Sequence, residues 1–554
     1  MAASKVAANQ GSGETTSSAV ACGPFEPCVW GDFFVAYTPP PLQAGGHLDR
    51  SITKLILGRA EQLKGEVHRM FEAGKAMNDA SDTVSLVDAL ERLGIDNHFR
   101  EEIDVALSRI HGEDDTDVGS SHDLHTVALR FCLLRKHGFW VPTDVFDKFR
   151  DGLPQKNKFR DGVGSFNKEL SRDPRGLLTL PRRGSPRRRH RLRQAPPEDE
   201  AARGKLRSPL AEQVCRALET PRPRFMRRLE TMHYISEYEK EEGHNATVLE
   251  LARLDFNLVR SLHLKELRSL TLWWRNLYND VKLPYARDRI VEPYFYACGI
   301  FHEEENSHVR IIFTKGFVLL GLMDDTYDVH ATLEECQMLN EAMQRWDETA
   351  ASFLPKYMRM LYIKTLSNIN GIEDILEPFE KYRMMAHIQK QYKLQSNNYL
   401  QEAKWSNEKH IPSLKEHADV TLMSTGLPFL FSLALMAAGQ VVTKEALEWA
   451  LMAAGQVRGK NKNDVASTME SYMKEHGVTG EEAIAAIKTM VEQAWRRING
   501  ACTELGRTMQ PALQWLVDMT RMLEIFYLDG RDGLTYGYGI KEIVAFLFLK
   551  QVLV

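Results

Sequence analysis

The stretch Asp324-Asp325-Thr326-Tyr327-Asp328 closes a mostly apolar run from Ile311 to Met323. With about 3.6 residues per helical turn, positions four apart lie above one another, so Asp324 and Asp328 are predicted to point the same way. Burying ionised carboxylates is costly unless they are paired or bind a metal, and their oxygens suit Mg²⁺ bound together with a substrate phosphate. The stretch therefore predicts an apolar helix with a magnesium-binding end. The alternative is an ordinary solvated helix end.

Helical periodicity extends over nearly the whole chain, and alternating strand patterns are rare. The segment from Glu481 to Ile498 places apolar residues at helical spacing, namely Ala483, Ile484, Ile487, Met490, Val491 and Ala494. The segment from Pro511 to Leu528 repeats this pattern behind an N-terminal proline. These patterns predict an all-α fold.

Several motifs accompany the acidic stretch along the chain. They include Trp30-Gly31-Asp32-Phe33-Phe34, Asp123-Leu124-His125-Thr126, Arg228-Leu229-Glu230, Leu254-Asp255-Phe256-Asn257, Trp273-Trp274-Arg275, Tyr285-Ala286-Arg287-Asp288-Arg289 and Gln344-Arg345-Trp346-Asp347. In this order, they make the chain resemble the plant class I terpene synthases, most closely the sesquiterpene-forming members. The resemblance implies an N-terminal α-barrel-like domain without chemistry of its own and a C-terminal class I terpenoid-synthase helical bundle that forms the pocket.

The chain divides into two helical domains joined by a charged stretch near Lys240 to Gly243. We predict a disordered N-terminus over residues 1–24, an N-terminal domain over 25–240 and a catalytic domain over 241–554. A Pro- and Arg-rich segment, residues 179–203, has no helical period and stands where relatives have an amphipathic helix. This anomaly suggests a reading-frame slip.

Composition excludes several classes of protein. The 554 residues are 43% hydrophobic, and the net charge of −4 does not favour a polyanionic partner. The arginine run from Arg182 to Arg193 alone does not predict a nucleic-acid-binding protein, because the rest of the chain is not basic. No uninterrupted apolar stretch of about 20 residues occurs, so no membrane span is predicted.

The cysteines and the N-terminal residues predict the cellular compartment of the protein. The seven cysteines are scattered and lack metal-type spacing, which favours a reducing compartment. Residues 1–23 are small and polar, with no apolar core of a signal peptide. We expect a monomer in the cytoplasm.

The resemblance assigns roles to the acidic stretch and to two arginines. Mg²⁺, with Mn²⁺ as a substitute, is expected to bind Asp324 and Asp328, with Asp325 as a third candidate. The metal would stabilise the negative charge on a departing diphosphate. Arg287 and Arg289 are expected to receive the released diphosphate. The alternative for the arginines is a surface salt-bridge pair.

Aromatic residues are candidates for the wall of a carbocation pocket, because aromatic faces attract positive charge and water would quench the cation. Tyr296 stands where relatives usually carry Trp, and Tyr527 with Asp532 resembles a late aromatic and acid pair of the family. Trp273 is a third aromatic candidate. For each ring, core packing is the alternative. The pocket contour is expected to depend on residues such as Ser424, Thr425 and Leu427.

A perfect repeat interrupts the region of a second expected metal motif. Residues 434–441 recur unchanged as residues 450–457. Relatives carry here an Asn/Asp-Asp-x-x-Ser/Thr-x-x-x-Glu motif, whereas this chain has no carboxylate between Trp449 and Arg458. Asn463, Ser467 and Glu470 share one helix face and are candidate replacements. The alternative is a capped helix start.

Two functions follow. The first is a Mg²⁺-dependent sesquiterpene synthase that ionises farnesyl diphosphate, or geranyl diphosphate, to a carbocation that is cyclised or rearranged with release of diphosphate. Farnesyl diphosphate is favoured because no arginine precedes Phe25, where monoterpene-forming relatives place a tandem pair. The second is a catalytically impaired relative or a defective gene model that lacks the second metal motif.

Overall fold

The structure is a computed structural model. It describes residues 25–37, 50–77, 80–112, 124–149, 208–372, 381–439, 467–504, 510–527 and 532–553. Within these ranges the regular elements are all helices, which confirms the predicted all-α class. The predicted disordered N-terminus, the anomalous segment 179–203, the second copy of the repeat and Asn463 lie outside the described residues.

The first half of the chain contributes a set of mostly short helices. They are α1 (Phe33–Ala36), α2 (Arg50–Met77), α3 (Ala80–Arg92), α4 (Arg100–Gly112), α5 (Leu124–Lys136), α6 (Leu210–Glu219) and α7 (Arg227–Tyr238). The predicted domain junction falls in the turn between α7 and the long helix that begins at Ala246. The domain boundaries themselves stay a prediction.

The second half forms a helical bundle. Its helices are α8 (Ala246–Val281), α9 (Val291–Ile300), α10 (Ser307–Asp325), α11 (Leu333–Arg345), α12 (Lys356–Asn370), α13 (Lys381–Glu408), α14 (Leu414–Ser424), α15 (Leu427–Ala437), α16 (Thr468–His476), α17 (Gly480–Glu504), α18 (Gln510–Tyr527) and α19 (Lys541–Leu549).

Local sequence explains where several helices begin. Asn245 caps α8, because its side-chain oxygen accepts from the Val248 amide at 3.1 Å. Thr332 and Glu335 form a reciprocal capping box at the start of α11. Such caps satisfy amide groups that a helix start otherwise leaves without partners.

One continuous hydrophobic core links both halves of the chain. It includes Leu63 of α2, Leu107 of α4, Leu251 of α8, Phe313 of α10 and Phe548 of α19, none of which exceeds 1% exposure. The two halves therefore pack as parts of one interior, and this packing holds the bundle that carries the site.

Helix α10 occupies a central place in the bundle, where it packs against α9 and α15. Gly316 permits the contact with α15, since a Cβ there would lie 2.5 Å from Leu433 Cδ2 and 3.3 Å from Phe429 Cε1. This close approach positions the acidic end of α10.

Helix α17 corrects one detail of the sequence analysis. The helix forms as predicted, but Ile484 is 44% exposed and Met490 is 40% exposed. Ala483 is buried as predicted, and Trp495 and Ile498 are buried as well. The buried face of α17 therefore leaves out two of the predicted apolar residues.

Among the described residues, one stretch, Leu414–Ala437, is long and apolar enough to cross a membrane by length and composition, and its most apolar 18-residue window has a mean hydropathy of 1.7. It consists of α14 and α15, and 67% of its most apolar window is buried inside the protein. Buried core helices pass the same test, so the stretch is weak evidence for a membrane span.

Candidate active site

The acidic stretch lies at the end of α10, where the helix changes its winding. The chain is α-helical up to Asp325 and continues as a π-helical turn over Thr326–His330. The Thr326 hydroxyl donates to the Leu322 carbonyl oxygen at 2.7 Å and lies 3.1 Å from the Tyr285 hydroxyl. The π-helical turn thus begins directly after Asp324 and Asp325 and contains Asp328. π-helical turns are frequent at functional sites.

Arg287 binds two of the three aspartates. Its Nη2 donates to Asp324 Oδ2 at 2.6 Å, and its Nε lies 2.7 Å from Asp325 Oδ1. The Arg287 backbone amide also donates to Asp325 Oδ2 at 2.7 Å. The predicted arginine and the acidic stretch thus meet directly, across 37 residues of sequence.

Asp325 anchors Arg287 and does not lie at the exposed rim. It is 1% exposed, and Arg287 occupies both of its carboxylate oxygens. Burial raises the pKa of Asp325 to about 6, and nearby Asp324 adds to the rise while Arg287 opposes it. Asp325 therefore stays ionised at neutral pH. Burial opposes the charge on Arg287, but both aspartates raise its pKa above the ordinary value.

Asp324 and Asp328 form the remaining acidic rim. The Asp324 side chain is 18% exposed, and Asp328 is partly exposed. No three His, Cys, Asp or Glu side chains in the described ranges are grouped as a metal site. Mg²⁺ commonly binds one or two carboxylates and completes its shell with water and substrate phosphate. The donor set at this rim fits such an ion.

Arg289 has a different environment from Arg287. It is 4% exposed and donates to the carbonyl oxygens of Asp288 at 3.2 Å, Glu26 at 3.2 Å and Thr535 at 3.1 Å. These carbonyl contacts tie the start of the described chain and the segment after α18 to the site. The interpretation of both arginines as a surface salt-bridge pair does not fit this burial.

Tyr296 belongs to a buried cluster of aromatic rings. It is 2% exposed, and its ring stacks on Phe313 at 6.1 Å and meets Phe317 and Phe526 edge-on at 5.5 and 5.3 Å. Its hydroxyl donates to the Met519 carbonyl oxygen at 3.0 Å. Burial, with a smaller effect from Tyr527, raises its pKa well above the ordinary value. The phenol is thus neutral and turned towards α18.

The late aromatic and acid pair lies at the same end of the bundle. Tyr527 ends α18 and is partly buried. Asp532 Oδ1 accepts from the amides of Leu534 and Thr535 at 3.2 and 3.0 Å, and its charge raises the pKa of Arg287. Trp273 is partly buried, and Lys315 Nζ lies 5.1 Å from its ring centroid, a cation–π contact. The structure therefore brings Asp532 towards the rim.

A helix break separates α14 from α15 at the residues predicted to shape the pocket. Ser424 and Thr425 precede Gly426, whose φ of +75° favours glycine. Gln395 Nε2 donates to the Ser424 carbonyl oxygen at 2.7 Å, and the Ser424 hydroxyl donates to Glu402 at 2.7 Å. The first bond satisfies a buried backbone carbonyl at the break, and the second joins two buried side chains.

Ser467 and Glu470 form a helix cap in this structure. The Glu470 amide donates to Ser467 Oγ at 3.3 Å, and the Ser467 amide donates to Glu470 Oε2 at 2.8 Å. The capped helix start, given above as the alternative, is therefore confirmed at α16.

Comparison with protein-family models decides the family. The model described as "Terpene synthase family, metal binding domain" matches residues 275–458 and 452–497, and the model "Terpene synthase, N-terminal domain" matches residues 29–182. The chain belongs to the terpene synthase family. The predicted fold, family and enzyme class of this terpene synthase are thereby confirmed.

The most similar relatives include sesquiterpene synthases of maize. The chain is 50% identical over 559 residues to an eudesmanediol synthase of Zea mays, covering 96% of both chains. It is 38% identical over 557 residues to a tau-cadinol synthase of Zea mays, covering 95% of this chain and 97% of the relative. These similarities support the predicted sesquiterpene synthase function.

A solved structure shows a similar fold with bound metal. The isoprene synthase of grey poplar, Populus x canescens, is 26% identical and superposes with a TM-score of 0.74, covering 92% of this terpene synthase and 99% of the isoprene synthase. That crystal structure holds three Mg²⁺ ions and dimethylallyl-S-thiolodiphosphate. Divalent metal use is thus a property of this family.

Sequence reasoning missed Glu292 in this terpene synthase. Glu292 lies in the first turn of α9 and is 0% exposed. A single acidic residue within the apolar run Ile290–Ile300 is a signal that could have identified it, because buried carboxylates are costly and need a reason.

Proposed function

We propose that this terpene synthase is a Mg²⁺-dependent sesquiterpene synthase that converts farnesyl diphosphate to a cyclised or rearranged product and releases diphosphate. The observation that carries the proposal is the Arg287 fork. It holds Asp324 at 2.6 Å and Asp325 at 2.7 Å at one end of an apolar helical bundle. Family membership supports the reaction class.

The residues of the acidic stretch and Arg287 would have separate roles in this reaction. Bound Mg²⁺ supplies positive charge that stabilises the leaving diphosphate. Asp324 and Asp328 would hold the ion, and Asp325 would keep the Arg287 guanidinium directed towards the rim. Arg287 then donates hydrogen bonds to the released diphosphate, which a planar guanidinium binds in a two-pronged manner.

The apolar interior would protect the carbocation. The ring cluster around Tyr296, Phe313 and Phe526 offers aromatic faces in a dry environment, where attraction to a cation is strongest. The Tyr296 hydroxyl donates to the Met519 carbonyl oxygen. Tyr296 would therefore interact with a cation through its ring and not through a free hydroxyl. This arrangement favours hydrocarbon chemistry over early quenching by water.

Further features of the function are also proposals. Farnesyl diphosphate is preferred to geranyl diphosphate, Mn²⁺ substitutes for Mg²⁺, and the enzyme acts as a cytoplasmic monomer without a membrane span. Turnover of both diphosphates by the purified protein tests the first statement directly.

Incubation of purified protein with farnesyl diphosphate and Mg²⁺, followed by gas chromatography of volatiles, tests the proposal. We expect a sesquiterpene product that disappears with a chelator and in Asp324→Ala. Normal turnover by Asp324→Ala would show that the acidic rim has been assigned wrongly. The variant Asp419→Ala is a suitable control, since the Asp419 side chain is 61% exposed and forms a surface ion pair with Lys415 at 2.7 Å.

The repeat supports a second candidate function, a catalytically impaired relative. The two matches to the metal-binding domain model overlap at residues 452–458, and residues 452–457 of this overlap belong to the second copy of the repeat. If the block replaces the second metal motif, the prenyl diphosphate substrate would bind without ionising, because catalysis needs stabilisation specific to the transition state. Product formation only after grafting an Asn/Asp-Asp-x-x-Ser/Thr-x-x-x-Glu motif before Arg458 would favour this candidate.

A further inference from the structure

Arg289 joins two segments that are distant in sequence. Its Nη2 donates to the Glu26 carbonyl at 3.2 Å and to the Thr535 carbonyl at 3.1 Å. Glu26 belongs to residues 25–37 and Thr535 to residues 532–540, which we call the covering segments. Phe25 of the first segment lies over Arg287, with its ring centroid 5.2 Å from the guanidinium carbon. Arg289 therefore fastens both covering segments beside the acidic rim.

Glu292 is completely buried next to Arg289. Neither of its carboxylate oxygens has a hydrogen-bond partner among the described side chains and backbone, and the same holds for Arg289 Nε. The nearby Asp288 already accepts from Trp274 Nε1 at 2.7 Å and pairs with Arg275 at 3.4 Å. Glu292 is thus the nearby carboxylate that is available to accept a hydrogen bond from Arg289.

Gly537 of the second covering segment shows how close the two groups lie. A Cβ on Gly537 would stand 2.6 Å from Glu292 Oε1 and 3.5 Å from Arg289 Nε. Both atoms therefore border the space that the glycine leaves open, and no hydrogen bond joins them in this arrangement. A side chain on Gly537 would block this space.

Burial and neighbouring charges act on Glu292 in opposite directions. Burial raises the pKa of Glu292 to about 7, Arg289 opposes the rise, and Asp288 adds to it. Cys28 of the first covering segment also faces this group, and burial raises the pKa of its thiol, with Asp288 and Glu292 adding to the rise. Arg289 is the positive group that acts on Glu292.

We propose that Glu292 is a positioning residue for the reaction proposed above. Its carboxylate aligns Arg289 with the Glu26 and Thr535 carbonyl oxygens, so that the covering segments stay seated over the rim. Seated segments exclude water from the carbocation, which water would otherwise quench. The proposal rests on the proposed function only for this last consequence.

A simpler role for Glu292 is stabilisation of a helix start, since acidic residues are favoured in the first turn of a helix. Glu334 provides the matched control for that role. It is the second residue of α11, as Glu292 is the second residue of α9, but it is exposed. A pure helix-start effect would be similar at both positions.

Hydrogen–deuterium exchange of the full chain, read by mass spectrometry, tests the alignment without any need for turnover. We expect Glu292→Ala to accelerate exchange about tenfold in both covering segments, since hydrogen bonds to charged groups are among the stronger ones. Glu292→Gln should restore most of the protection, because its amide oxygen still accepts from Arg289. Glu334→Ala should leave both segments unchanged. Unchanged exchange in Glu292→Ala, or an equal effect of Glu334→Ala, overturns the proposal.

A double variant makes the test sharper. Gly537→Ala should also accelerate exchange in the covering segments, because its Cβ collides with Glu292. In Glu292→Ala/Gly537→Ala the truncated side chain removes the 2.6 Å contact and leaves only the looser 3.1 Å contact with Val29 Cγ2, so Gly537→Ala should add much less than it does alone. Fully additive effects would mean that the two residues act independently, which contradicts the proposed arrangement.

Activity assays then separate this proposal from the proposed function. With farnesyl diphosphate and Mg²⁺, Glu292→Ala should lower kcat more than it changes KM and should raise the share of hydroxylated, water-quenched product. If the unaltered chain gives no product, the proposed function fails while exchange still decides the role of Glu292. If the chain is active and product shares are identical in Glu292→Ala, the water-excluding role is wrong.

Discussion

Arg287 shows at the scale of one residue how charge and burial are coupled in this site. Its side chain is 15% exposed and pairs with Asp324 and Asp325, the second of which is 2% exposed. Removing one partner of a buried pair leaves the other charge without compensation, which is costlier than losing an exposed pair. The arginine therefore contributes to stability as well as to diphosphate binding.

We expect Arg287→Ala to lower the free energy of unfolding by about 3 kcal/mol, as for other broken buried pairs. Urea denaturation followed by circular dichroism provides the measurement. Arg59→Ala is the control, because Arg59 makes an equally short pair with Glu250 at 2.7 Å but its side chain is 42% exposed. That variant should change the free energy by less than about 1 kcal/mol. Equal losses would argue against a buried, coupled fork.

Glu292 predicts a pH dependence of stability. Burial raises its pKa from 4.5 to about 7, so between these values the folded chain holds a proton that the unfolded chain has released. The contribution of Glu292 to stability is therefore fully present below about pH 4.5 and is lost as the pH rises to about 7. Glu292→Gln does not titrate. Its stability relative to the unaltered chain should rise across this window by about 3 kcal/mol, measured by urea denaturation at several pH values. A difference that stays constant with pH would contradict the raised pKa.

Single residues also show the limit of sequence reasoning. Asp324 and Arg287 were found by motif, and the structure joins them. The roles of Asp325 and Arg289 were not predictable, because their partners lie 38 and 246 residues away and depend on packing. Sequence periodicity describes a helix face but not which distant group meets it.

At the scale of elements, the π-helical turn after α10 is the feature that shapes the acidic rim. Thr326 lies at its start and makes a hydroxyl bond to the carbonyl four residues earlier. The sequence predicted the helix and its acidic end correctly. It did not predict the changed winding or the contact of Thr326 with Tyr285, 41 residues away, because periodicity does not show which distant groups meet.

Thr326→Val tests the importance of this turn. The substitution keeps the shape of the side chain but removes both hydroxyl contacts, so the spacing of Asp324 and Asp328 should shift. We expect kcat to fall about tenfold or more, since displacements near 1 Å can cost about a hundredfold in rate.

Thr314→Val is the matched control for that variant. Thr314 is buried in the same helix and makes the same type of bond to the Arg310 carbonyl oxygen at 2.7 Å. Both variants should lose similar stability, measured as Tm, but only Thr326→Val should lose turnover. Equal kcat values would show that the π-helical turn has no catalytic importance.

At the scale of the whole molecule, ligand binding should stabilise both halves together. Their side chains share one core, and His98 of the first half meets Asp255 of the second at 2.7 Å. A ligand that binds only the folded chain raises stability according to its concentration relative to Kd. Unfolding of one half should therefore destabilise the other half. A ligand bound at the acidic rim should then raise the stability of both.

Addition of inorganic diphosphate with Mg²⁺ should raise Tm in a single cooperative transition. The stabilisation is about 2.7 kcal/mol at a ligand concentration of 100 Kd. Diphosphate with a chelator, or Mg²⁺ alone, should give a smaller shift, because the ion binds jointly with phosphate oxygens.

Asp324→Asn should remove the shift, whereas Asp419→Asn, at an exposed position on α14, should keep it. A shift that persists in Asp324→Asn would place diphosphate away from the acidic rim, and two separate transitions would contradict a shared core.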